Sequence, residues 1–130
     1  MARILLDSTV LIDALRGRPA GERLRRMRRR GDQPWVCAVS VEEIWRGIRP
    51  GEEASVRRLF RGLRTTPLGS GEGERAGSWR RAFADRGITL HQADCLIAAA
   101  AVGVGARLAT ANPEDFPMDE LDVDMWPVGA

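Results

Sequence analysis

Lysine is absent from this 130-residue chain: all twenty of its basic residues are arginine. That absence excludes chemistry built on a lysine ammonium. A phosphoreceiver signalling module, which surrounds Mg²⁺ with acids but needs a lysine at the site, does not fit. Neither does a P-loop, whose lysine reaches the phosphates. Histidine is scarce too, with His91 alone, and a solitary histidine at a helix start reads first as a cap or surface residue and only then as a general base. The two cysteines, Cys37 and Cys95, lie in apolar runs without C-x-x-C spacing, so they are expected as core thiols in a reducing compartment, with no zinc or redox role. No apolar run approaches the roughly 20 residues of a membrane span. Asp7 also interrupts the N-terminal apolar segment before a signal-peptide core can form. The expectation is a cytoplasmic protein with no membrane partner.

With 44% hydrophobic residues, the chain can bury one core, and a single domain over residues 1–130 is expected. The net charge is only +2, although the isoelectric point is about 9.0. An arginine-only chain rich in alanine and glycine suggests a GC-rich genome, which weakens any inference from arginine content alone to nucleic acid. Apolar runs at Arg3 to Leu6, Trp35 to Val39, Thr65 to Leu68, Arg107 to Thr110 and Leu121 to Trp126 read as strands. Between them, Val10–Leu11–Ala14–Leu15, Leu24–Met27, Val41–Ile44–Trp45–Ile48, Val56–Leu59–Phe60–Leu63 and Trp79–Ala82–Phe83 fall at helical spacing. The first helix is expected to be capped by Ser8 or Thr9, and Gly69 to Gly73 reads as a flexible turn. The stretch from Cys95 to Val104 is apolar almost all round, as a buried helix is. Its end at Gly103-Val104-Gly105 is no dinucleotide fingerprint, because those glycines close a helix instead of opening one. Strands alternating with helices imply a three-layer α/β/α sandwich around a central parallel sheet, with the active crevice outside the strands' carboxyl ends.

Several acids look out of place in that framework. Asp7 ends the first strand, where a carboxylate near the core costs several kcal/mol unless helix amides or a cation compensate it. Asp94 is the only charged residue between Arg86 and Arg107 and opens the apolar helix; the helix dipole offers only about 0.3–1 kcal/mol, so a metal-ligand role is the stronger reading. Glu43 stands open between ligand and capping box, since Ser40-Val41-Glu42-Glu43 has the capping-box spacing. Asp115 follows a strand in a turn where Asn112 and Asp are ordinary occupants. Together, these acids come after different strands of one parallel sheet and would converge on one crevice. Three or four carboxylates without histidine or cysteine favour Mg²⁺ or Mn²⁺ over zinc, and such ions suit phosphodiester chemistry.

Four segments carry a family resemblance in order along the chain. They are Leu5-Leu6-Asp7-Ser8-Thr9-Val10-Leu11-Ile12-Asp13, Ser40-Val41-Glu42-Glu43-Ile44-Trp45-Arg46-Gly47, Ala93-Asp94-Cys95-Leu96-Ile97-Ala98-Ala99-Ala100-Ala101 and Leu108-Ala109-Thr110-Ala111-Asn112-Pro113-Glu114-Asp115-Phe116. Over nearly its whole length the chain resembles a PIN domain of the VapC toxin type. The resemblance selects Glu43 over Glu42. It implies a metal-dependent endoribonuclease, a hydrolase acting on tRNA or rRNA, with Mg²⁺ or Mn²⁺ held by Asp7, Glu43, Asp94 and Asp115 as the catalytic set. Thr110 and Asn112 would be supporting residues that position Asp115, a carboxylate or a water, and either Asn112 or Asp115 completes the metal site. It also implies a homodimer held inactive by a VapB antitoxin.

Outside that set, the arginines from Arg23 to Arg30 read equally as an RNA guide or a solvated face. Arg46 and Arg49 are expected at the Glu43 rim, where phosphates would approach. The four tryptophans read as core or partner-interface residues before base-stacking platforms. The rival reading keeps the fold but drops cleavage, leaving a catalytically silent RNA-binding or regulatory module. The intact set of acids argues against it.

Overall fold

The computed structural model describes residues 1–129. β1 (Arg3–Leu6) runs directly into α1 (Ser8–Leu15), and α2 (Pro19–Arg29) leads to β2 (Gln33–Val36). α3 (Ala38–Gly47) and α4 (Glu53–Arg61) precede the short β3 (Arg64–Thr65). α5 (Ser70–Ala84) and α6 (Gln92–Gly103) return the chain to β4 (Arg107–Thr110), and a 3-10 turn (Pro113–Asp115) precedes β5 (Val123–Met125). The five strands pair in the order β3-β2-β1-β4-β5, every pair parallel. Parallel neighbours require crossovers, which helices supply everywhere except before β5.

Side chains alternate along β1. Ile4 and Leu6 join one buried cluster with α1 to α4, whereas Leu5 joins the other with α5 and α6. β4 repeats the pattern, with Leu108 on the α5–α6 face and Ala109 on the other. Both faces of the sheet are therefore covered, which is why the strands read as continuous apolar runs. The α/β/α sandwich expected from the sequence is present. In α6, Cys95 and Ile97 through Ala101 are all buried, and Gly105, with φ +66°, takes the left-handed conformation that ends it.

Local boundaries differ from the sequence expectations at three places. β2 begins at Gln33 and ends at Val36, so the helix opens at Ala38 and Ser40 lies inside its first turn instead of capping it. Gly69 to Gly73 is no free turn: α5 begins at Ser70, and Glu72 Oε1 accepts the Gly69 N–H at 2.7 Å. The third strand is Arg64–Thr65, earlier than Thr65 to Leu68.

Asp13, which no motif singled out as an isolated acid, is the other buried carboxylate beside Asp7, only 3% exposed. It accepts the Ala20 N–H at the start of α2 and the Gly129 N–H near the C-terminus, each at 2.9 Å. Both are backbone donors, so its role is to staple α2 and the chain end to α1. Among the described residues no helix is long and apolar enough to cross a membrane. Asp13→Ala, which strands these N–H groups, is expected to cost about 1–3 kcal/mol of stability; urea unfolding at neutral pH measures it, and an unchanged midpoint would contradict the staple.

Candidate functional site

The sheet order reverses between β1 and β4, and ligands in open parallel sheets bind outside the carboxyl ends at such a switch. Asp7 lies there. Its backbone N–H donates to Ala109 O at 2.9 Å, tying the end of β1 to β4. Asp7, not Ser8 or Thr9, is the N-cap of α1, its Oδ1 accepting the Ser8 N–H at 2.8 Å. Its Oδ2 accepts the hydroxyl of Thr110 at 2.8 Å and that of Thr9 at 3.2 Å. Capping and a place in the crevice are thus both true of this residue.

The displaced start of α3 decides the ambiguity over Glu43. With Cys37 at the N-cap position, no Ser40 capping box forms. Glu43 is free to turn toward α1, where its Oε1 accepts the Ser8 hydroxyl at 2.7 Å. Ser40 is fully buried and its hydroxyl has no partner among the described residues. Asp94 lies in the first turn of α6 and Asp115 closes the 3-10 turn. These two line an open cavity of about 320 Å³ together with His91 and Glu114. His91 occupies the N-cap position of α6 without a side-chain capping bond and is exposed.

Electrostatics joins the two pairs. Burial raises the Asp7 carboxyl above its usual range, against the lowering effect of the Thr110, Ser8 and Thr9 hydrogen bonds, and Glu43 adds to the rise. The direction shows which effect wins: three hydrogen bonds do not offset desolvation. Asp94 is pushed up to about 6 by burial first, then by the negative charges of Asp115 and Asp7, with His91 opposing and Glu43 contributing least. Asp94 therefore lies within electrostatic reach of the other three sequence-predicted acids, and Asp7 within reach of Glu43. Among the described residues none of the four forms an ion pair with arginine. No three of the described His, Cys, Asp or Glu side chains form a ready-made cage. Oxygen-only donors in a net negative crevice suit a hard, hydrated divalent cation that keeps several waters.

Of the two expected supporting residues, Thr110 is fully buried and donates to the Asp7 carboxylate, while the Asn112 backbone N–H donates to Thr110 Oγ1 at 3.0 Å. Ser8 and Thr9, read from sequence only as caps, are the bridges to Glu43 and to Ala111. Two consecutive hydroxyls after a strand-end acid were the available signal. Arg46 is exposed on α3 and pairs with Glu42 at 3.6 Å; Arg49 is exposed beyond the helix.

Residues 4–120 match the PIN domain family. The chain belongs to the PIN-domain family. This PIN domain is 35% identical over 117 residues to Ribonuclease VapC10 of Mycobacterium tuberculosis (strain CDC 1551 / Oshkosh), across 90% of this chain and 88% of the relative. Ribonuclease VapC19 of the same strain is 30% identical over 115 residues, 88% of this chain and 92% of the relative. A chain in the crystal structure of VapBC2 from Rickettsia felis, bound to a DNA fragment from their promoter, superposes with a TM-score of 0.85. That match covers 96% of this PIN domain and 99% of that chain at 16% identity, a likeness of fold.

The raised Asp94 value gives a signed pH effect. Its unfolded carboxyl titrates near 3.8 and its folded one near 6, so the folded protein holds the proton more tightly. Stability from this group is present at low pH and is lost as pH rises through that interval. In EDTA, Asp94→Asn is therefore expected to melt above the wild type at pH 7.5, with the gap closing toward pH 4. Thermal melts across the range check this; a wild type that melts above Asp94→Asn at pH 7.5 in EDTA would contradict it.

Proposed function

We propose that this PIN domain is a metal-dependent endoribonuclease, the toxin of a VapBC toxin–antitoxin pair, acting in the cytoplasm as a homodimer restrained by a VapB-type antitoxin. The observation that carries the reading is the set of Asp7, Glu43, Asp94 and Asp115 at the carboxyl ends of the parallel strands, where burial first and then the charges of Asp115, Asp7 and Glu43 raise the Asp94 carboxyl. Similarity to VapC10 and VapC19, both named ribonucleases, supports the activity, and the VapBC complexes among structures of like fold support the partner. Two free, buried thiols suit a reducing compartment.

In this reading the four carboxylates hold Mg²⁺ or Mn²⁺. A bound divalent cation of this kind supplies an activated water and stabilises charge on the attacking and leaving oxygens of a phosphodiester. Thr110, Thr9 and the Ser8 amide fix the Asp7 carboxylate, and the Ser8 hydroxyl fixes Glu43 relative to it. Asp94 and Asp115 form the walls of the open cavity that the RNA backbone enters. Asn112, through its backbone N–H, steadies the Thr110 hydroxyl. Arg46, whose only ion pair among the described residues is an exposed one with Glu42, and Arg49 draw in phosphates, since exposed pairs exchange partners at little cost.

Purified, antitoxin-free protein is expected to cleave tRNA or rRNA in total RNA with Mg²⁺ or Mn²⁺, to stop in EDTA, and to lose cleavage in Asp94→Asn and Asp7→Asn. Cleavage by either variant at the wild-type rate would sink the proposal. Thr110→Val, which only loosens a ligand, should lower activity by about 10–100-fold, as loss of a ligand's hydrogen-bonding partner does. Arg46→Gln or Arg49→Gln should weaken RNA binding and reduce the slope of log affinity against log salt by about 1; fluorescence anisotropy at several salt concentrations reads this, and an unchanged slope would remove that arginine from the RNA path.

A further inference from the structure

The arginines of α2 divide into groups with different surroundings. Arg25 and Arg29 both pair with Glu22, at 3.0 Å and 3.3 Å, and hold its carboxyl below the usual range. Arg28 donates to Gly62 O at 3.1 Å. Arg23 and Arg26 on the helix and Arg30 at its C-cap follow i, i+3, i+7 spacing along a different stripe. All three line a cavity of about 290 Å³ together with Arg107, the first residue of β4, and with Ile4, Asp124 and Trp126. None of the four acids of the candidate site lines it.

This cavity concentrates positive charge in a concave wall. Arg23 stacks over the Trp126 ring at 5.1 Å from its centroid, and Trp126, 2% exposed, holds its place by donating from Nε1 to Asp124 Oδ2 at 3.2 Å. Arg30 has Asp32 within 3.5 Å. Arg26 and Arg107 are exposed, and their guanidinium groups have no ion-pair partner among the described residues. Setting Asp124 and Asp32 against the four guanidinium groups leaves an excess of two positive charges. Planar guanidinium groups converging from a helix and a strand match the tetrahedral oxygens of phosphate better than a flat basic surface does.

We propose that the Arg23–Arg26–Arg30–Arg107 cavity is a phosphate-binding site separate from the carboxylate crevice. Its ligand is a phosphate group, from either a small phosphorylated molecule or an RNA backbone. The site does not depend on the ribonuclease reading, and failure of RNA cleavage leaves it standing.

The test follows the Trp126 indole N–H by ¹⁵N NMR in EDTA, titrating first pyrophosphate and then a short single-stranded oligoribonucleotide. The wild type is compared with Arg26→Gln/Arg107→Gln and with the charge-matched Arg25→Gln/Arg29→Gln. The expected result is a saturable Trp126 shift whose apparent affinity falls by on the order of tenfold or more in the first double variant and stays near wild type in the second. Saturation by pyrophosphate identifies a small phosphorylated ligand; saturation by the oligoribonucleotide alone identifies the RNA backbone. Equal weakening in both double variants, or no Trp126 shift with either probe, would overturn the site. Both substituted pairs are exposed, so each variant's amide spectrum verifies folding directly.

Discussion

Asp7 is 6% exposed, and its carboxylate stands at the end of the central strand of a parallel sheet. Bare burial of that charge costs several kcal/mol, and the surrounding chain is arranged around the debt. Ser8 gives an amide, while Thr9 and Thr110 give hydroxyls from opposite sides of the β1–β4 switch. The backbone N–H of Asp7 ties β1 to β4 in the same place. One residue therefore ends a strand, starts a helix and couples neighbouring strands. The compensation is still incomplete, because burial keeps the carboxyl above its ordinary range. A crevice that holds under-compensated carboxylates is one in which a cation gains free energy by entering.

Asp94 extends the same reasoning from the other layer. α6 packs Cys95, Ile97 and a run of alanines against the sheet and α5, and small side chains let that helix approach closely. Its first turn is thereby held beside the 3-10 turn that carries Asp115. Burial raises the Asp94 carboxyl most, the negative charges of Asp115 and Asp7 add to the rise, and the packing of an entire helix opposes that repulsion. Like charges stay together here because the apolar face of α6 leaves them no alternative position.

Arginine, the chain's only strong base, is used in several physically distinct ways. Each tryptophan ring has at least one guanidinium over it: Arg3 and Arg64 on Trp35, Arg57 on Trp45, Arg75 on Trp79 and Arg23 on Trp126. The rings thus serve as core or as stacking partners for side chains of this same chain, with Trp79 and Trp126 buried. Other arginines are neutralised by Glu22 or satisfy a carbonyl. Composition could not separate these uses, because an exposed helix face and a lined cavity have the same residues in sequence.

Periodicity and residue type were enough to read an α/β/α sandwich, because strands buried on both faces must be apolar throughout and parallel strands must alternate with crossovers. They were also enough to mark Asp7 and Asp94, since an isolated charge in an apolar run stands out against its neighbours. The helix start at Ala38 was hidden, because Trp35 to Val39 suits a buried strand and a helix entry equally well. That shift moved Ser40 into the helix and released Glu43 to the Ser8 hydroxyl. Thr110 holding Asp7, Asp13 stapling Gly129 and Arg107 facing the α2 stripe join residues far apart in the chain. Sequence determined which residues had to be buried or exposed, because solvation is a property of each side chain and its local period. Tertiary structure alone decided which polar groups meet, because a hydrogen bond or a shared field depends on ångström distances that only the packed layers set.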